Sequence, residues 1–309
     1  MTFDPRSPIV PNVKRVLILL AAVALVAGCA VRPAGTDGNL VNGWPMQAVA
    51  TYAVPQVEHC YTGTNTSYDG VDYTGYREAP CTEDHAVEVA GQRTFTGAAA
   101  SAAHPPVPGD AAHKAARTTC AAAADEYLGG NWETAFVYLR VGLPSTAEWT
   151  GGDRTYTCEV GPDGAPSDYH LAGSVKGGLT GTRVAARGCV EFTSPDQPNK
   201  DGFYDNPDGF NNVACDTEHN AEFGGVFDAP DGPLPDSKNT KLMASFSARC
   251  EGLLAKYVGQ SVTQLDNRTD VTFYWFWPSE NAWTQGERAI DCYLAVQVAH
   301  PVTKSLKAA

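Results

Sequence analysis

The chain has 309 residues, with 22 Lys and Arg against 35 Asp and Glu, and a net charge of −13 at pH 7. An acidic chain without a basic run is a poor binder of nucleic acid and other anionic polymers, so these partners are excluded. Cations and basic partners are compatible with this charge.

The first 28 residues are typical of a targeting segment. Lys14 and Arg15 precede an apolar run of 12 residues, Val16 to Ala27, which is shorter than the roughly 20 residues of a membrane span. The run ends in Val-Ala-Gly-Cys, which resembles a bacterial lipobox. We predict a lipoprotein signal peptide over residues 1–28 and lipidation of Cys29, which anchors the chain to the extracytoplasmic face of the cell membrane. An ordinary signal peptide is the alternative.

Residues 29–53 form a small, polar and Gly-rich tether in this interpretation. Eight cysteines follow, and an even number in an exported chain indicates disulfides rather than metal or thiol chemistry. Four cysteines allow three pairings; we favour first with second and third with fourth, because the first loop is short and the third Cys lies on a helix that can reach the last strand. The two sets are Cys60, Cys81, Cys120 and Cys158, then Cys189, Cys215, Cys250 and Cys292.

The sequences around the two sets are copies of each other. Cys81 and Cys215 are each followed by His at +4, Glu at +7 and Gly at +10, and the third Cys of each set is followed by Tyr at +7. "PSTAEWTGGDRTYTC" aligns without a gap with "PSENAWTQGERAIDC", and "SVKG" at Ser174 recurs loosely as "SLKA" at Ser305. A period near 130 residues indicates two complete domains, which we place at residues 54–178 and 179–309.

Each copy resembles the septum-formation domain of actinobacterial membrane proteins and lipoproteins. The shared pattern is an early Cys, then Cys-x-x-x-His-x-x-Glu, a helical Cys, and Trp-x-x-Gly-acid-Arg-x-x-x-Cys. It covers nearly all of the chain beyond the tether, although this chain lacks the Pro that the family often has before the His. The resemblance implies a role near cell division and no particular reaction. The residues that carry it, besides the cysteines, are His85, Glu88, Trp149 and Arg154, then His219, Glu222, Trp283 and Arg288.

Each copy is predicted to be an α+β unit, a small antiparallel sheet packed with one main helix and stapled by disulfides. A short β-prone segment leaves the Cys-bearing turn, an Ala-rich or Leu-rich helix follows, and two further β-prone runs flank the Trp–Arg turn. In the first copy, the low-complexity residues 97–113 are expected to form an exposed, mobile loop.

The duplicated His–Glu pairs have a chemical and a structural interpretation. His85 with Glu88, and His219 with Glu222, fit an acid–base pair or half of a metal site. Positions i and i+3 of a strand face opposite sides, however, so the pair converges only if a turn intervenes, and no further ligand stands at a standard spacing. We favour a structural role in which the His bonds a backbone carbonyl and fixes the strand entry.

The duplicated Trp–Arg pairs present the same choice. Trp149 and Trp283 are compatible with stacking on a sugar. We favour a structural role, in which each Trp caps a core beside a disulfide and Arg154 or Arg288 stacks on it.

Two segments of the second copy have no counterpart in the first. Phe273, Tyr274, Trp275, Phe276 and Trp277 are consecutive aromatics, and alternation places Phe273, Trp275 and Trp277 on one face. We favour burial between the copies, with partner binding by these five residues as the alternative. The second segment, Asp196–Asn212, is a near miss to a calcium loop, and we interpret it as a solvated, turn-rich loop without metal. No cofactor is predicted.

The motifs of common enzyme classes, HExxH, GxSxG, the P-loop and the dinucleotide fingerprint, do not occur in the sequence. We therefore predict a non-enzymatic binding or scaffold lipoprotein that acts in envelope or septum assembly, with a protein or cell-wall partner. The alternative is a cell-wall-modifying enzyme of the glycan hydrolase type, which uses Glu88 and Glu222 or the Asp-rich loop. Two carboxylates roughly 5–10 Å apart in a groove would favour that alternative.

Overall fold

The computed structural model describes residues 53–63, 75–162 and 171–308. The described residues lie in one compact unit, which contains both sequence copies. The predicted signal peptide, Cys29 and residues 29–52 of the tether lie outside the described residues. None of the described helices is long and apolar enough to cross a membrane.

The first repeat, residues 54–178, consists of short strands around one long helix. Its helices are α1 (Gly97–Ala100), α2 (Ala111–Leu128) and α3 (Thr146–Thr150), and a 3-10 turn spans Trp132–Thr134. Its strands are β1 (Cys60–Thr62), β2 (Arg77–Ala79), β3 (Asp84–His85), β4 (Val87–Thr94), β5 (Val137–Gly142), β6 (Thr155–Pro162) and β7 (Leu171–Ala172).

The second repeat, residues 179–309, has the same plan. Its helices are α4 (Thr240–Tyr257), α5 (Val262–Asp266) and α6 (Glu280–Thr284). Its strands are β8 (Cys189–Thr193), β9 (Gly209–Val213), β10 (Ala221–Asp228), β11 (Val271–Phe276) and β12 (Ala289–Val296).

Each repeat forms a five-stranded sheet, and the two sheets share one topology. The orders are β2-β1-β4-β6-β5 and β9-β8-β10-β12-β11, and neighbouring strands are antiparallel. A register shift lies at the same place in both, between Val89 and Gly91 in β4 and between Phe223 and Gly225 in β10. The predicted α+β class is confirmed, and the domain boundaries stay predictions.

The long helix of each repeat packs on one face of its sheet. α2 begins at Asp110, whose side chain accepts a hydrogen bond from the His113 backbone N–H, and ends at Gly129 in the left-handed region with φ 78°. Its Ala-rich face lets the helix approach the sheet closely, since a Cβ on Gly91 would lie 3.0 Å from that of Ala123. α4 buries larger side chains, among them Phe246 and Leu254, against its own sheet.

The predicted disulfide pairing is confirmed. Two short-range bonds join β1 and β8 to the following Cys-bearing turns, and two longer ones join each long helix to the last strand of its sheet. Every bond lies within one repeat, at Cα–Cα distances typical of disulfides. The pairs are Cys60–Cys81, Cys120–Cys158, Cys189–Cys215 and Cys250–Cys292.

Candidate functional site

His85 and Glu88 meet in the core of the first repeat because the backbone bends between them. His85 ends β3, Ala86 forms a bend, and Glu88 is the second residue of β4. The bend brings His85 Nε2 to 3.0 Å from Glu88 Oε1, and both side chains are fully buried. The intervening turn that convergence requires is therefore present.

The Glu88 carboxylate accepts four hydrogen bonds from distant parts of the repeat. Oε1 accepts from His85 Nε2 and from the backbone N–H of Val175 at 2.7 Å. Oε2 accepts from the Tyr127 hydroxyl at 2.6 Å and from the Ser174 hydroxyl at 2.8 Å. Glu88 thus ties the first strands to the end of α2 and to the segment that closes the repeat.

The second repeat contains the same network. Glu222 Oε1 accepts from His219 Nε2 at 3.0 Å and from the Leu306 backbone N–H at 2.8 Å. Glu222 Oε2 accepts from Tyr257 at 2.7 Å and from Ser305 at 2.8 Å. The spacing of His, Glu, Tyr and Ser along the sequence is thereby explained, since all four side chains belong to one buried cluster.

Both ring nitrogens of His85 face acceptors, which favours the doubly protonated imidazolium. Nδ1 lies 2.7 Å from the Glu83 carbonyl oxygen and Nε2 faces the Glu88 carboxylate. Burial opposes the charge on His85, but hydrogen bonds to Glu88 and to the Glu83 carbonyl outweigh it and raise its pKa. Burial likewise opposes the charge on Glu88, and its four donors outweigh it and lower its pKa. The pair is a buried ion pair held by its surroundings.

The geometry does not fit a metal centre. The sulfur of Cys60 lies within 4.8 Å of the His85 and Glu88 ligand atoms, and that of Cys189 lies equally close to His219 and Glu222. Both sulfurs are committed to disulfides and provide no thiolate. The carboxylate oxygens already accept hydrogen bonds from protein donors, so nothing in the cluster turns a ligand atom towards an ion.

The two Trp–Arg pairs form matching stacks at the ends of α3 and α6. The Arg154 guanidinium carbon lies 4.0 Å from the centre of the Trp149 ring, and that of Arg288 lies 4.3 Å from the Trp283 ring. Each indole N–H donates to a backbone carbonyl, that of Ala102 at 2.8 Å and that of Gly232 at 2.9 Å. Trp149 is almost fully buried, so its ring presents no face for a sugar.

The aromatic strand β11 divides its side chains as alternation predicts. Phe273, Trp275 and Trp277 pack against the cluster around α4, whereas Tyr274 and Phe276 pack on the opposite face of the sheet. All five are partly exposed. The Tyr274 hydroxyl donates to the Tyr204 carbonyl oxygen, which connects the strand to the Asp-rich loop.

The loop at Asp196–Asn212 is held by hydrogen bonds among its own residues. The Asn199 side-chain amide donates to Asp205 at 2.8 Å, and its oxygen accepts from the backbone N–H of Asp201 at 3.0 Å. These contacts are those of a polar turn. Nothing in the loop adds to the calcium hypothesis.

A pocket between the two repeats was missed by the sequence reasoning. This inter-repeat pocket, about 210 Å³ in volume, lies between the 3-10 turn and β5 of the first repeat and the β11–α6 region of the second. The segment Asn131–Glu133 has no counterpart in the second repeat, and this difference was the one sequence feature that pointed to the pocket. A pocket whose walls come from two repeats produces no local sequence pattern. Its side walls are Trp132, Glu133, Val137, Tyr138, Arg187, Phe276, Trp277, Pro278, Ser279, Ala282, Glu287, Ala289 and Asp291.

Two arginines fasten the repeats together beside this pocket. Arg117 donates to Glu287 at 2.6 Å, and Arg187 donates to Asp291 at 2.5 Å and to the Ala135 carbonyl oxygen at 3.0 Å. Glu133 makes no ion pair among the described residues. Burial, followed by the nearby carboxylate of Asp228, raises the pKa of Glu133 to about 7.

The fold and the paired networks define a disulfide-stapled α+β protein built from two copies of one unit. Over residues 58–295 the chain matches the family described as septum formation, and it belongs to that family. No curated protein and no solved structure matches it.

Proposed function

We propose that the protein is a lipid-anchored lipoprotein on the extracytoplasmic face of the cell membrane, and that it acts as a binding or scaffold module in septum or envelope assembly. Membership of the septum-formation family supports a role in cell division or the envelope. The lipid anchor rests on the sequence around Cys29, and the scaffold role rests on the duplicated, disulfide-stapled units.

The observation that carries the proposal is the complete burial of the duplicated polar residues. Glu88 and Glu222 are closed off from solvent, and each accepts hydrogen bonds from four protein donors. A catalytic carboxylate must reach its substrate. Glu88 and Glu222 are therefore unavailable to a glycan, which removes one of the two carboxylate sets that the glycan hydrolase hypothesis named, the other being the Asp-rich loop, and supports the binding role.

The anchor is tested with Cys29→Ser in the full-length protein. Mass spectrometry of the membrane fraction should show a lipid-modified Cys29 as the first residue of the wild type. The variant should leave the membrane or remain unprocessed. An intact residue 1, or an unmodified Cys29 in membrane-bound wild type, would refute the anchor.

The assembly role is tested by depletion and localisation. A fluorescent fusion should concentrate at division sites, and depletion of the protein should delay or misplace septa. Uniform distribution together with normal division would contradict the role. Release of soluble fragments from purified cell-wall glycan by the wild-type protein would favour the enzyme alternative.

Tyr274 and Phe276 of the aromatic strand form the proposed partner-binding surface, and Phe276 also lines the inter-repeat pocket. Tyr274 and Phe276 are partly exposed on the face beside the Asp-rich loop. In affinity capture from envelope extract, Tyr274→Ala/Phe276→Ala should lose partners that the wild type retains. Equal thermal unfolding temperatures must first show that the variant is folded, and unchanged partners would then remove this surface.

A further inference from the structure

The inter-repeat pocket combines aromatic walls with a carboxylate that has no cationic partner in the part of the chain that the structure describes. Trp132, Tyr138, Phe276 and Trp277 contribute rings, and Glu133 lies among them. Aromatic rings around a carboxylate are the arrangement by which proteins recognise alkylammonium groups, because the ring faces and the anion both attract a cation.

Among the described residues, the charged side chains that line the pocket are paired except at Glu133. Glu287 is neutralised by Arg117 and Asp291 by Arg187. The remaining neighbouring carboxylate, Asp228, makes no ion pair among the described residues and lies in an adjoining groove that Glu133 also lines. The nearest acidic residues therefore increase the negative potential at Glu133.

Two cations of the protein already face part of the aromatic wall. The Arg117 guanidinium carbon lies 5.7 Å from the centre of the Trp132 ring. Lys114 is exposed at the rim of the adjoining groove, and it does not line the pocket. The Arg140 guanidinium carbon likewise lies 6.0 Å from the centre of the Tyr138 ring. Trp277 and Phe276 are the other two rings of the wall.

The size of the pocket limits what enters it. Pockets for drug-sized ligands measure roughly 300–1,000 Å³, and this one measures about 210 Å³. A single extended side chain is a better match to that volume than an oligosaccharide.

We propose that the inter-repeat pocket binds an alkylammonium group, the lysine side chain of a basic segment in a protein partner, between Trp277 and Glu133. This inference rests on the proposed binding function and names the ligand chemistry of one site. The net charge of −13 supports it, because an acidic protein attracts basic partners from a distance.

The test is a titration of the full-length protein in detergent with a short capped peptide that carries one lysine and no other charge. The comparison peptide has norleucine in place of the lysine, which keeps the apolar stem and removes the ammonium. We expect the lysine peptide to bind at least about tenfold more tightly, because its desolvated ammonium gains a cation–π contact that norleucine cannot make; this ratio corresponds to about 1.4 kcal/mol. Equal affinities would overturn the inference.

Matched variants locate the site. Glu133→Gln should weaken the lysine peptide about tenfold or more and leave the norleucine peptide unchanged. Glu126→Gln makes the same chemical change at an exposed position of α2 outside the pocket, and it should have no effect. Trp277→Leu should weaken binding severalfold if thermal unfolding shows that it is folded. Identical binding by Glu133→Gln and Glu126→Gln would overturn the inference.

The pH dependence provides a further readout. Besides Glu133, the charged groups that line the pocket are Glu287, Asp291 and Arg187, which are paired. The adjoining groove is also lined by Lys114, Arg117, Asp228, Asp231 and Arg288. Affinity for the lysine peptide should rise as Glu133 ionises near pH 7, while the lysine stays protonated up to about pH 10. A flat profile across this range would contradict a contact with Glu133. Failure of these titrations with septal localisation intact would remove this site and leave the assembly role standing.

Discussion

The two sheets have the same topology but differ on the face that points away from the long helix. Arg140 on β5 pairs in register with Glu159 on β6, and the equivalent register pair of the second sheet is Tyr274 with Tyr293. The first repeat thus has a buried ion pair where the second packs two aromatic rings together.

The ion pair of the first repeat is embedded in a polar cluster. Arg140 donates to Glu159 Oε2 from Nε at 2.9 Å and from Nη2 at 2.7 Å, and the Thr157 hydroxyl donates to Oε1 at 2.6 Å. Gly142 is required beside it, because a Cβ there would lie 2.2 Å from Glu159 Oε1. Both charged side chains are almost completely buried.

The second repeat fills the same space with edge-to-face aromatic contacts. Phe276 occupies the position of Gly142, and the Phe192 ring lies 5.5 Å from that of Tyr274 and 5.4 Å from that of Tyr293. Aromatic contacts of this kind add about 0.5–1.5 kcal/mol each beyond the area they bury. The same backbone topology therefore accommodates either the ion pair or the aromatic cluster, because the side chains on each face complement one another.

The largest predicted effect comes from breaking the ion pair on one side. Glu159→Gln should lower the free energy of unfolding by about 3–5 kcal/mol, because it leaves the Arg140 charge buried without a partner. Urea titration measures the change. Glu126→Gln, the exposed control, should stay within about 0.5 kcal/mol of the wild type.

The paired replacement sharpens this comparison. Arg140→Tyr/Glu159→Tyr copies the second repeat into the first, and it should cost less than Glu159→Gln alone because no charge remains unpaired. A larger loss for the double variant would show that the surroundings, rather than the charge balance, decide which pair each sheet accepts.

The next largest effect concerns the helix disulfides, in which the repeats should behave alike. The bonds span 38 residues in the first repeat and 42 in the second. Loop-closure entropy then gives about 3–4 kcal/mol for each. Cys120→Ala/Cys158→Ala and Cys250→Ala/Cys292→Ala should therefore lower the free energy of unfolding by similar amounts in urea titrations. A difference above about 2 kcal/mol would reveal unequal dependence on the bond.

Local sequence patterns predicted those features of the fold whose residues lie close together in the sequence. Cysteine spacing and helix signals favoured the observed disulfide pairing among the three possible ones and predicted α2 and α4. Two partners of Glu88 appeared in the sequence only as duplicated features without an assigned role: the Tyr seven residues after the third Cys, and the "SVKG" segment. Their contact with Glu88 was not predicted, because Ser174 is 86 residues away from it in the sequence. A local periodic pattern does not reveal a hydrogen bond between residues so far apart in the sequence.

Docking of distant segments explains the other failures of the sequence reasoning. Residues 97–113 were expected to form an exposed, mobile loop. In the structure they contain α1, and the Ala102 carbonyl accepts the Trp149 indole N–H. The low-complexity composition of this segment gave no indication of its contact with Trp149. The inter-repeat pocket was missed for the same reason, since its walls come from both repeats.

A pH-dependent effect is predicted for the His–Glu network. His85→Gln should cost about 1–3 kcal/mol by leaving buried hydrogen-bonding groups without a charged partner. The pKa of His85 is raised above its ordinary 6.5, so its stabilisation is complete below about pH 6.5 and is lost as the pH rises through the folded value. The pKa of Glu88 is lowered below 4.5, so its stabilisation is present above that pH and is lost on acidification. The difference between wild type and variant should therefore be largest between about pH 4.5 and 6.5.

Urea titrations at several pH values test this window, with His219→Gln as the matched variant of the second repeat. The hydrogen bonds of the two networks correspond atom for atom, so His219→Gln should also destabilise the protein. A loss that is constant from pH 4 to pH 9 would argue against an imidazolium at His85.

The smallest predicted effect separates the two Trp–Arg stacks. Arg154 donates to the carbonyl oxygens of Ala100 at 2.6 Å, Trp149 at 2.6 Å and Asp153 at 2.7 Å. Arg288 donates in the same way to the carbonyl oxygens of Trp283 and Glu287. Its third partner, however, is the highly exposed Asp231 at 3.4 Å. Lysine keeps the charge and loses the planar fork that bonds several carbonyls at once.

Arg154→Lys should therefore cost about 1–2 kcal/mol, and Arg288→Lys should cost less, because an exposed ion pair contributes about 0–1 kcal/mol. Urea titration of both variants measures the difference. The reverse order would mean that Asp231 holds the second stack more firmly than its exposure allows. Equal losses would assign the stability of both stacks to the ring contact, which the two repeats share, rather than to the hydrogen bond that Arg154 Nε donates to Ala100, for which Arg288 Nε has no counterpart among the described residues.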